Sequence, residues 1–286
     1  MPKNPAQIIN GKKLADQILL DLRAKVLKLN RRPALAAILV GDDPASTLYI
    51  ENKKKACLKV GINFYDYYCA GKDHKNDTEK DILAAIDFLN KDSEVDGIIV
   101  QLPIPKKFNA KKITGAINPG KDVDGLHPKN AKAFSQGKCE ITPPLVKAVI
   151  EILKFTKKNF TGKIAVVVAD STVFSQPIAE ELNRLGLKTK IIKPDNNLKD
   201  RINIADLIIS IIGRENLITK DMVKQGATVI DVGTSYNKAG ELVGDASPKV
   251  KETADFVTPV PGGIGPLTVA MLLENTYQLA KQNINY

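Results

Sequence analysis

Two hydrophobic patterns alternate along the first 140 residues of the chain. Apolar residues at helical spacing between Gly11 and Leu29 predict an amphipathic helix, and the unbroken apolar run 34–40 predicts a buried parallel strand. The same reasoning predicts a helix over 44–60, a strand over 62–69, a helix over 78–89 and a strand over 96–101. Such a series is typical of an α/β domain that binds ligands at the carboxyl ends of its strands.

A second alternating series begins after Thr142-Pro143-Pro144, where we place the domain border. It predicts a helix over 145–155, a strand over 163–168, a helix from Gln176 to Leu185 with Pro177 in its first turn, and strands over 187–192, 206–212 and 227–232. This series resembles a small dinucleotide-binding sheet. The helix after Pro266 is expected to return to the first domain.

Composition narrows the class of protein. Hydrophobic residues make up 43% and charged residues 26% of the 286 residues, as in ordinary globular proteins, and no apolar run approaches the length of a membrane span. The three cysteines are scattered and only two histidines occur, which argues against a disulfide framework or a metal centre and suits a reducing cytoplasm.

The net charge of +10 favours an anionic partner. Aromatic residues are only 5% and tryptophan is absent, which weakens the case for nucleic acid. An anionic small molecule, or a basic surface with no specific partner, fits the charge equally well.

The segment Thr258–Thr268 is unusually rich in proline and glycine and runs directly into an apolar helix. Proline fixes φ, and glycine permits positive φ or close approach of a ligand. The segment is therefore either a tight turn between strand and helix or a preorganised ligand loop.

Lys53 shares one face of the helix predicted over 44–60 with Ser46, Tyr49 and Ala56. A lysine on such a face extends its amine to solvent, pairs with a carboxylate or loses its charge. Two hypotheses stay open: a snorkelling lysine, or a desolvated lysine with a lowered pKa that serves as an acid or base.

Other polar residues follow the predicted strands. Gln101 ends one strand, where an amide can donate and accept hydrogen bonds at a cleft. The carboxylates of Lys121–Gly125 orient a ligand or form an Asx turn. The loop Val168–Pro177 suits a cofactor phosphate at a helix N-terminus, although it lacks the GxGxxG glycines.

Five segments match the motifs of one enzyme family in order: Val40–Ser46 with Tyr49, Lys53, Lys55 and Ala56; Gly97–Pro103; Lys121–Gly125; Val229–Gly233; and Pro259–Thr268. On these residues the chain resembles the bifunctional methylenetetrahydrofolate dehydrogenase/methenyltetrahydrofolate cyclohydrolases. The resemblance covers nearly the whole chain, and its second and fifth segments are the most specific.

The resemblance implies two α/β domains with a cleft between them, usually in a homodimer. Residues 1–143 and 266–286 would form the catalytic folate-binding domain, and residues 144–265 a Rossmann-like NAD(P)-binding domain. The implied reaction oxidises 5,10-methylenetetrahydrofolate with NADP and hydrolyses the methenyl product to 10-formyltetrahydrofolate, in the one-carbon metabolism that serves purine biosynthesis.

The resemblance also assigns roles. Lys53 would be the central catalytic residue, Tyr49 would pack against the folate, Gln101 would hold and tune Lys53, and Asp124 would bind the pterin. The folate site would be lined by Pro261, Gly262 and Gly263, and the cofactor site by Ala169, Asp170, Ser171, Lys193 and Thr234. The expected substrate is a polyglutamated folate, with no metal, nucleic acid or membrane partner.

The cofactor segment departs from the family pattern, which usually reads Gly-Arg-Ser-x-x-Val-Gly-x-Pro. Asp170 replaces the arginine, usually a partner of the 2′-phosphate, and a carboxylate there would repel a phosphate. Three outcomes stay open: NADP bound through Lys193 or Lys190, NAD in its place, or a cyclohydrolase alone. A nucleotide-sensing or nucleic-acid-binding protein on this scaffold is disfavoured by the intact set of Tyr49, Lys53, Gln101 and Asp124.

Overall fold

A computed structural model describes residues 6–284 of the chain and divides them into two compact units. The six-stranded unit comprises the N-terminal segment ending at Ala15 together with Leu145–Thr268. The three-stranded unit comprises Asp16–Pro144 and the chain from Val269 onwards. The α/β class predicted from the hydrophobic pattern is confirmed.

The strands are short, with two to seven residues each. In chain order they are β1 (Gln7–Ile8), β2 (Ala34–Val40), β3 (Asn63–Cys69), β4 (Gly97–Val100), β5 (Ile164–Ala169), β6 (Lys188–Ile192), β7 (Leu207–Ile211), β8 (Thr228–Asp231), β9 (Ser235–Tyr236), β10 (Leu242–Val243) and β11 (Phe256–Val257).

Helices separate β2 from β3 and β3 from β4, and likewise β5 from β6 and β6 from β7. In chain order they are α1 (Gly11–Val26), α2 (Pro44–Val60), α3 (Glu79–Lys91), α4 (Ala110–Thr114), α5 (Pro128–Ser135), α6 (Pro144–Thr156), α7 (Thr172–Arg184), α8 (Leu198–Ile202) and α9 (Ile264–Ile284). Among residues 6–284 no helix is long and apolar enough to cross a membrane.

The sheet of the three-stranded unit is parallel, in the order β3-β2-β4. Every residue of β2 is buried, and successive side chains enter opposite cores because strand residues alternate between faces. Leu35 and Leu39 pack with residues of α1, α2 and α9, whereas Ile38 and Val40 pack with residues of α3 and α4. This double covering explains why β2 reads as an unbroken apolar run.

The sheet of the six-stranded unit is also parallel, in the order β1-β11-β8-β7-β5-β6. Its N-terminal edge strand pairs Gln7 with Phe256, which groups residues 6–15 with this unit. The predicted domains had placed these residues with the rest of 1–143. The functional division at 143/144 stays a prediction, and its residues 1–5 and 285–286 lie outside the described residues.

The predicted helix over 176–185 begins too late. The helix α7 starts at Thr172 because the Ser171 hydroxyl accepts a hydrogen bond from the Val173 amide at 3.3 Å and caps it. Pro177 therefore lies inside the helix rather than in its first turn. The pattern also gave no sign of β1, β9, β10 or β11, since two-residue strands carry no periodicity.

Candidate active site

Helix α2 carries the candidate catalytic side chains one turn apart. Asp43 caps its start by accepting a hydrogen bond from the Ser46 amide at 2.8 Å, and Gly61 ends it in the left-handed conformation with φ of 87°. Between these ends Tyr49 and Lys53 stand four residues apart, and residues at that spacing share a helix face. Capping at both ends fixes the register of this face.

The Lys53 amine is bonded to Gln101. Its Nζ donates to Oε1 of Gln101 at 2.6 Å, while Nε2 of Gln101 donates to the Leu102 carbonyl at 2.7 Å. A carbonyl oxygen can only accept, so this second bond turns the amide oxygen of Gln101 toward the lysine. The backbone N–H of Gln101 donates to the Ile38 carbonyl at 2.9 Å and extends the strand pairing by one residue.

Burial lowers the pKa of Lys53 from its ordinary value, and the nearby Asp124 carboxylate opposes this shift. This direction favours the hypothesis of a desolvated lysine over that of a snorkelling lysine, which would keep its hydration, and the role of Lys53 stays a prediction. The lowered pKa enlarges the neutral fraction of the amine, which is the form able to accept a proton.

The loop that carries Asp124 is held by its neighbours. Asp122 is buried and accepts hydrogen bonds from the His127 amide at 2.8 Å and from Asn130 Nδ2 at 2.9 Å. Asn275 of α9 donates to the Val123 carbonyl at 2.9 Å. Asp122 thus forms the turn, and the carboxylate of Asp124 accepts no hydrogen bond from any residue in 6–284.

Burial raises the pKa of Asp124 to about 6, and the Lys53 charge works against that rise. A half-buried carboxylate with no donor among the described residues is suited to a ligand that brings its own N–H groups.

Tyr49 and Ser46 complete this face of α2. The Lys53 amine lies 6.0 Å from the centroid of the Tyr49 ring. Ser46 is 1% exposed, and its hydroxyl has no hydrogen-bond partner among the described residues. The sequence placed Ser46 on this face but assigned it no role.

The proline- and glycine-rich segment belongs to the six-stranded unit. Gly262 has φ of 96°, a conformation that side chains disfavour, and its carbonyl accepts a hydrogen bond from the Lys12 amide at 3.0 Å. Gly263 is buried, and a Cβ on Gly11 would run into its carbonyl group. Pro261 is exposed. Local backbone packing thus explains the two central glycines, and their role toward folate stays a prediction.

The predicted cofactor residues follow strands whose carboxyl ends lie at one edge of the six-stranded sheet. Ala169 is the last residue of β5, Asp170 is exposed beside it, and Ser171 caps α7. Lys193 follows the adjacent strand β6, and Thr234 follows β8 on the other side of β7. Lys193 and Thr234 are both exposed.

These positions fit a dinucleotide. A helix that begins directly after a buried strand presents amides to a phosphate, and the exposed polar residues lie where open parallel sheets bind ligands. Sequence reasoning missed a buried pair at the same edge, Asp231 and Asp245. An acidic residue next to a glycine at the end of an apolar run, as in Gly244-Asp245, was the available signal.

No cluster of three or more His, Cys, Asp or Glu side chains able to hold a metal ion occurs within residues 6–284.

Comparison with known proteins identifies the class. The family model for the catalytic domain of tetrahydrofolate dehydrogenase/cyclohydrolase matches residues 9–124, and the model for its NAD(P)-binding domain matches residues 143–284. The chain belongs to the tetrahydrofolate dehydrogenase/cyclohydrolase family.

Individual relatives agree over almost the full length. The bifunctional protein FolD of Streptococcus pyogenes serotype M5 (strain Manfredo) is 40% identical over 285 residues, covering 96% of this chain and 97% of the relative. The crystal structure of FolD from Campylobacter jejuni has a TM-score of 0.90 at 38% identity and covers 97% of this chain and 99% of its own. The Trypanosoma brucei enzyme, solved with NADP cofactor and an inhibitor, has a TM-score of 0.92 at 29% identity, with coverage of 99% and 100%.

The predicted family, fold class and enzyme class are therefore confirmed. This chain is a bifunctional methylenetetrahydrofolate dehydrogenase and methenyltetrahydrofolate cyclohydrolase with an NAD(P)-binding domain. The roles of individual site residues remain predictions.

The raised pKa of Asp124 makes stability depend on pH. Its folded-state pKa is about 6 against an ordinary 3.8, so the folded protein binds the proton more tightly than the unfolded chain and loses stability as the pH rises through 4 to 6. Asp124→Asn cannot ionise. We expect the variant to become more stable than the parent protein by about 3 kcal/mol at pH 7 and above, and the gap to close near pH 4. Calorimetric unfolding of both proteins between pH 4 and 8 measures this difference in the free energy of unfolding.

Asp66→Asn is the matched control with the opposite sign. The hydrogen bond from Lys54 lowers the pKa of Asp66, so this carboxylate stabilises the protein as the pH rises, and its removal should cost stability above pH 4. If Asp124→Asn behaved in the same direction as Asp66→Asn, Asp124 would be a stabilised ion and the explanation by burial would be wrong.

Proposed function

We propose that this enzyme oxidises 5,10-methylenetetrahydrofolate with NADP and hydrolyses the resulting 5,10-methenyltetrahydrofolate to 10-formyltetrahydrofolate, with Lys53 as the acid and base of the hydrolytic step. The observation that carries the proposal is the desolvated Lys53 amine, held 2.6 Å from Gln101 and close to the unpartnered Asp124 carboxylate. When bound, the nicotinamide ring accepts the hydride that leaves the one-carbon bridge.

The residues of the three-stranded unit then act on a cation. The methenyl product carries a positive charge, which a protonated lysine would repel and which further favours the neutral amine. Neutral Lys53 takes a proton from the attacking water, and the protonated amine returns it to the nitrogen that leaves as the ring opens. The remaining hydroxyl proton of the water adduct is released to solvent as the formyl C=O forms. Gln101 holds the amine in place throughout, and Asp124 binds the N–H groups of the pterin.

Tyr49 lies on the same helix face as Lys53, and we assign it the flat face of the folate ring, against which an aromatic side chain can stack. The loop Pro261–Gly263 is proposed as a further part of the folate site.

A polyglutamated folate is the proposed form of the substrate, and the excess of 42 basic over 32 acidic residues supports it. The three cysteines are unpaired, as suits the cytoplasm.

Lys53→Met tests the central role. Loss of the proton acceptor should lower the cyclohydrolase rate by about 10²–10⁴-fold, measured by the decay of methenyltetrahydrofolate absorbance. The dehydrogenase rate should fall much less, since hydride transfer itself moves no proton, and its survival reports correct folding.

The neighbouring Lys54 provides the control. It is paired with Asp66 at 2.8 Å, so Lys54→Met removes a positive charge from the same helix without touching the Lys53 site. Near-normal cyclohydrolase activity in Lys53→Met, or an equal loss in Lys54→Met, would refute the assignment.

NAD in place of NADP is the second candidate, and Asp170 is the observation that favours it. Its exposed carboxylate lies directly after β5, at the edge where the cofactor is proposed to bind, and repels a 2′-phosphate. Lys193 after the neighbouring strand supplies an opposing positive charge, which is why we retain NADP as the main proposal.

Asp170→Arg separates these alternatives. An arginine pairs with a phosphate, so the ratio of kcat/KM for NADP to that for NAD should rise at least about tenfold. Steady-state rates with each cofactor measure the ratio. Asp221→Arg makes the same change of charge at an exposed position before β8 and should leave the ratio within about twofold. An unchanged ratio in Asp170→Arg would remove Asp170 from the cofactor site.

A homodimer is proposed as the assembly, and the open edge of β3 supports this. Among the described residues no strand pairs with its outer edge, and Tyr65 and Tyr68 are 40% and 44% exposed. An aromatic edge strand without lysine or proline is suited to pairing with a second copy.

The double variant Tyr65→Lys with Tyr68→Lys should be a monomer, because edge lysines oppose strand pairing. Light scattering after size-exclusion chromatography measures the mass. Phe88→Lys changes a 61%-exposed aromatic on α3 of the same unit and should leave the mass unchanged. A parent protein that elutes as a monomer, or a double variant that remains a dimer, contradicts this interface.

A further inference from the structure

A buried carboxylate that accepts four hydrogen bonds lies beneath the loop that follows β7. Asp245 is 0% exposed and accepts four hydrogen bonds. Its Oδ2 accepts from the Ser210 hydroxyl at 2.6 Å and from the Ile212 amide at 2.9 Å. Its Oδ1 accepts from the amides of Gly213 at 2.8 Å and Arg214 at 2.6 Å. Three successive amides of this loop therefore point inward.

A second buried carboxylate holds Asp245 in place. Asp231, at the end of β8, accepts hydrogen bonds from the Asp245 amide at 3.0 Å and from the Ala246 amide at 2.7 Å. The same side chain accepts from the Gly233 amide at 3.0 Å. Asp231 thus connects the loop after β8 to the backbone that positions Asp245.

The glycines around the pair leave no room for side chains. A Cβ on Gly233 would overlap the Asp245 carboxylate, and one on Gly244 would overlap Asp231. A Cβ on Gly213 would lie 2.9 Å from the Thr234 carbonyl, so the two loops are in contact. The backbone of both loops is consequently built around the two carboxylates.

We propose that Asp245, held by Asp231, is a positioning residue for the nicotinamide dinucleotide. Its carboxylate accepts hydrogen bonds from the amides of Ile212–Arg214. In a trans peptide the N–H and the C=O point in opposite directions, so the carbonyls of the preceding residues Ile211, Ile212 and Gly213 point away from Asp245. These carbonyls present acceptors at the carboxyl edge of the sheet, where a dinucleotide offers hydroxyl and amide donors. The inference rests on cofactor binding by the six-stranded unit.

The energetic cost of the pair supports a functional role. Burial raises the pKa of Asp231 to about 6, and the nearby Asp245 charge adds to the rise. Placing two carboxylates together in a buried position costs stability that an apolar pair would not. Three amide hydrogen bonds from one loop to one carboxylate fix that loop more closely than packing alone, and the Ser210 hydroxyl of β7 donates a fourth hydrogen bond to the same carboxylate.

Asp245→Asn in the full-length protein is the test. The amide keeps one acceptor oxygen but turns its NH2 group toward two donors, so two of the four hydrogen bonds are lost. We expect the dissociation constant for NADPH or NADH, whichever the parent protein binds more tightly, to rise at least about tenfold by isothermal titration calorimetry. The KM for the same cofactor should rise by a similar factor and the KM for folate by less than twofold.

The cyclohydrolase reaction is the internal control, because Lys53, Gln101 and Asp124 belong to the three-stranded unit and the reaction uses no cofactor. Its rate should stay within about twofold in Asp245→Asn. Asp255→Asn is the matched variant: it removes a carboxylate charge before β11, at the amino end of the same sheet, where Asp255 pairs with Lys158 at 2.8 Å. Its cofactor affinity should not change.

An unchanged cofactor affinity in active Asp245→Asn overturns the proposal. If that variant loses the cyclohydrolase reaction as well, the Ser210→Ala variant distinguishes a positioning role from general loss of stability, because it removes only one hydrogen bond to Asp245. A weaker affinity in Ser210→Ala at unchanged thermal stability supports positioning, and lower thermal stability at unchanged affinity overturns it. A parent protein that binds neither cofactor refutes the proposed dehydrogenase function itself, which the titration reports separately.

Discussion

The hydrogen bond from Lys53 to Gln101 is the interaction on which the catalytic proposal depends. An amine with a lowered pKa is useful only while it stays away from water and in a fixed place. Helix α2 supplies the first condition by burying the lysine stem, and the end of β4 supplies the second through an amide whose orientation is set by the Leu102 carbonyl. Neither element could do this alone.

The position of Gln101 follows from the sheet. Its backbone amide continues the pairing of β4 with β2, so the side chain begins where the ladder ends. The bridge between Ile98 and Asp122 brings the next loop alongside the same strand, and Asp124 comes two residues later. Parallel strands therefore deliver the amide and the carboxylate to one edge, as the doubly wound arrangement generally does.

Much of this could be predicted from the sequence, and the parts that could not have a physical reason. The run 34–40 and the helix 44–60 have the predicted limits, because a strand buried on both faces and a capped helix both leave plain patterns. The start of α7 was misplaced because the serine cap competes with proline as a start signal. The Asp231–Asp245 pair was missed because it joins residues from two separate strand ends, and no local pattern encodes such a contact.

Aspartates in this chain have different roles, which depend on their hydrogen-bond partners and not on residue type alone. Asp122 accepts hydrogen bonds from two backbone amides and Asp245 from three, and each shapes a loop. Asp124 lies two residues after Asp122 and accepts no hydrogen bond from the described residues. Its carboxylate oxygens can therefore accept hydrogen bonds from a ligand. A carboxylate near the end of a buried strand can thus bind a ligand when neighbouring residues stabilise the turn. It has a structural role when its own oxygens accept the hydrogen bonds that stabilise the turn. Counting the hydrogen bonds at each carboxylate distinguishes the two uses.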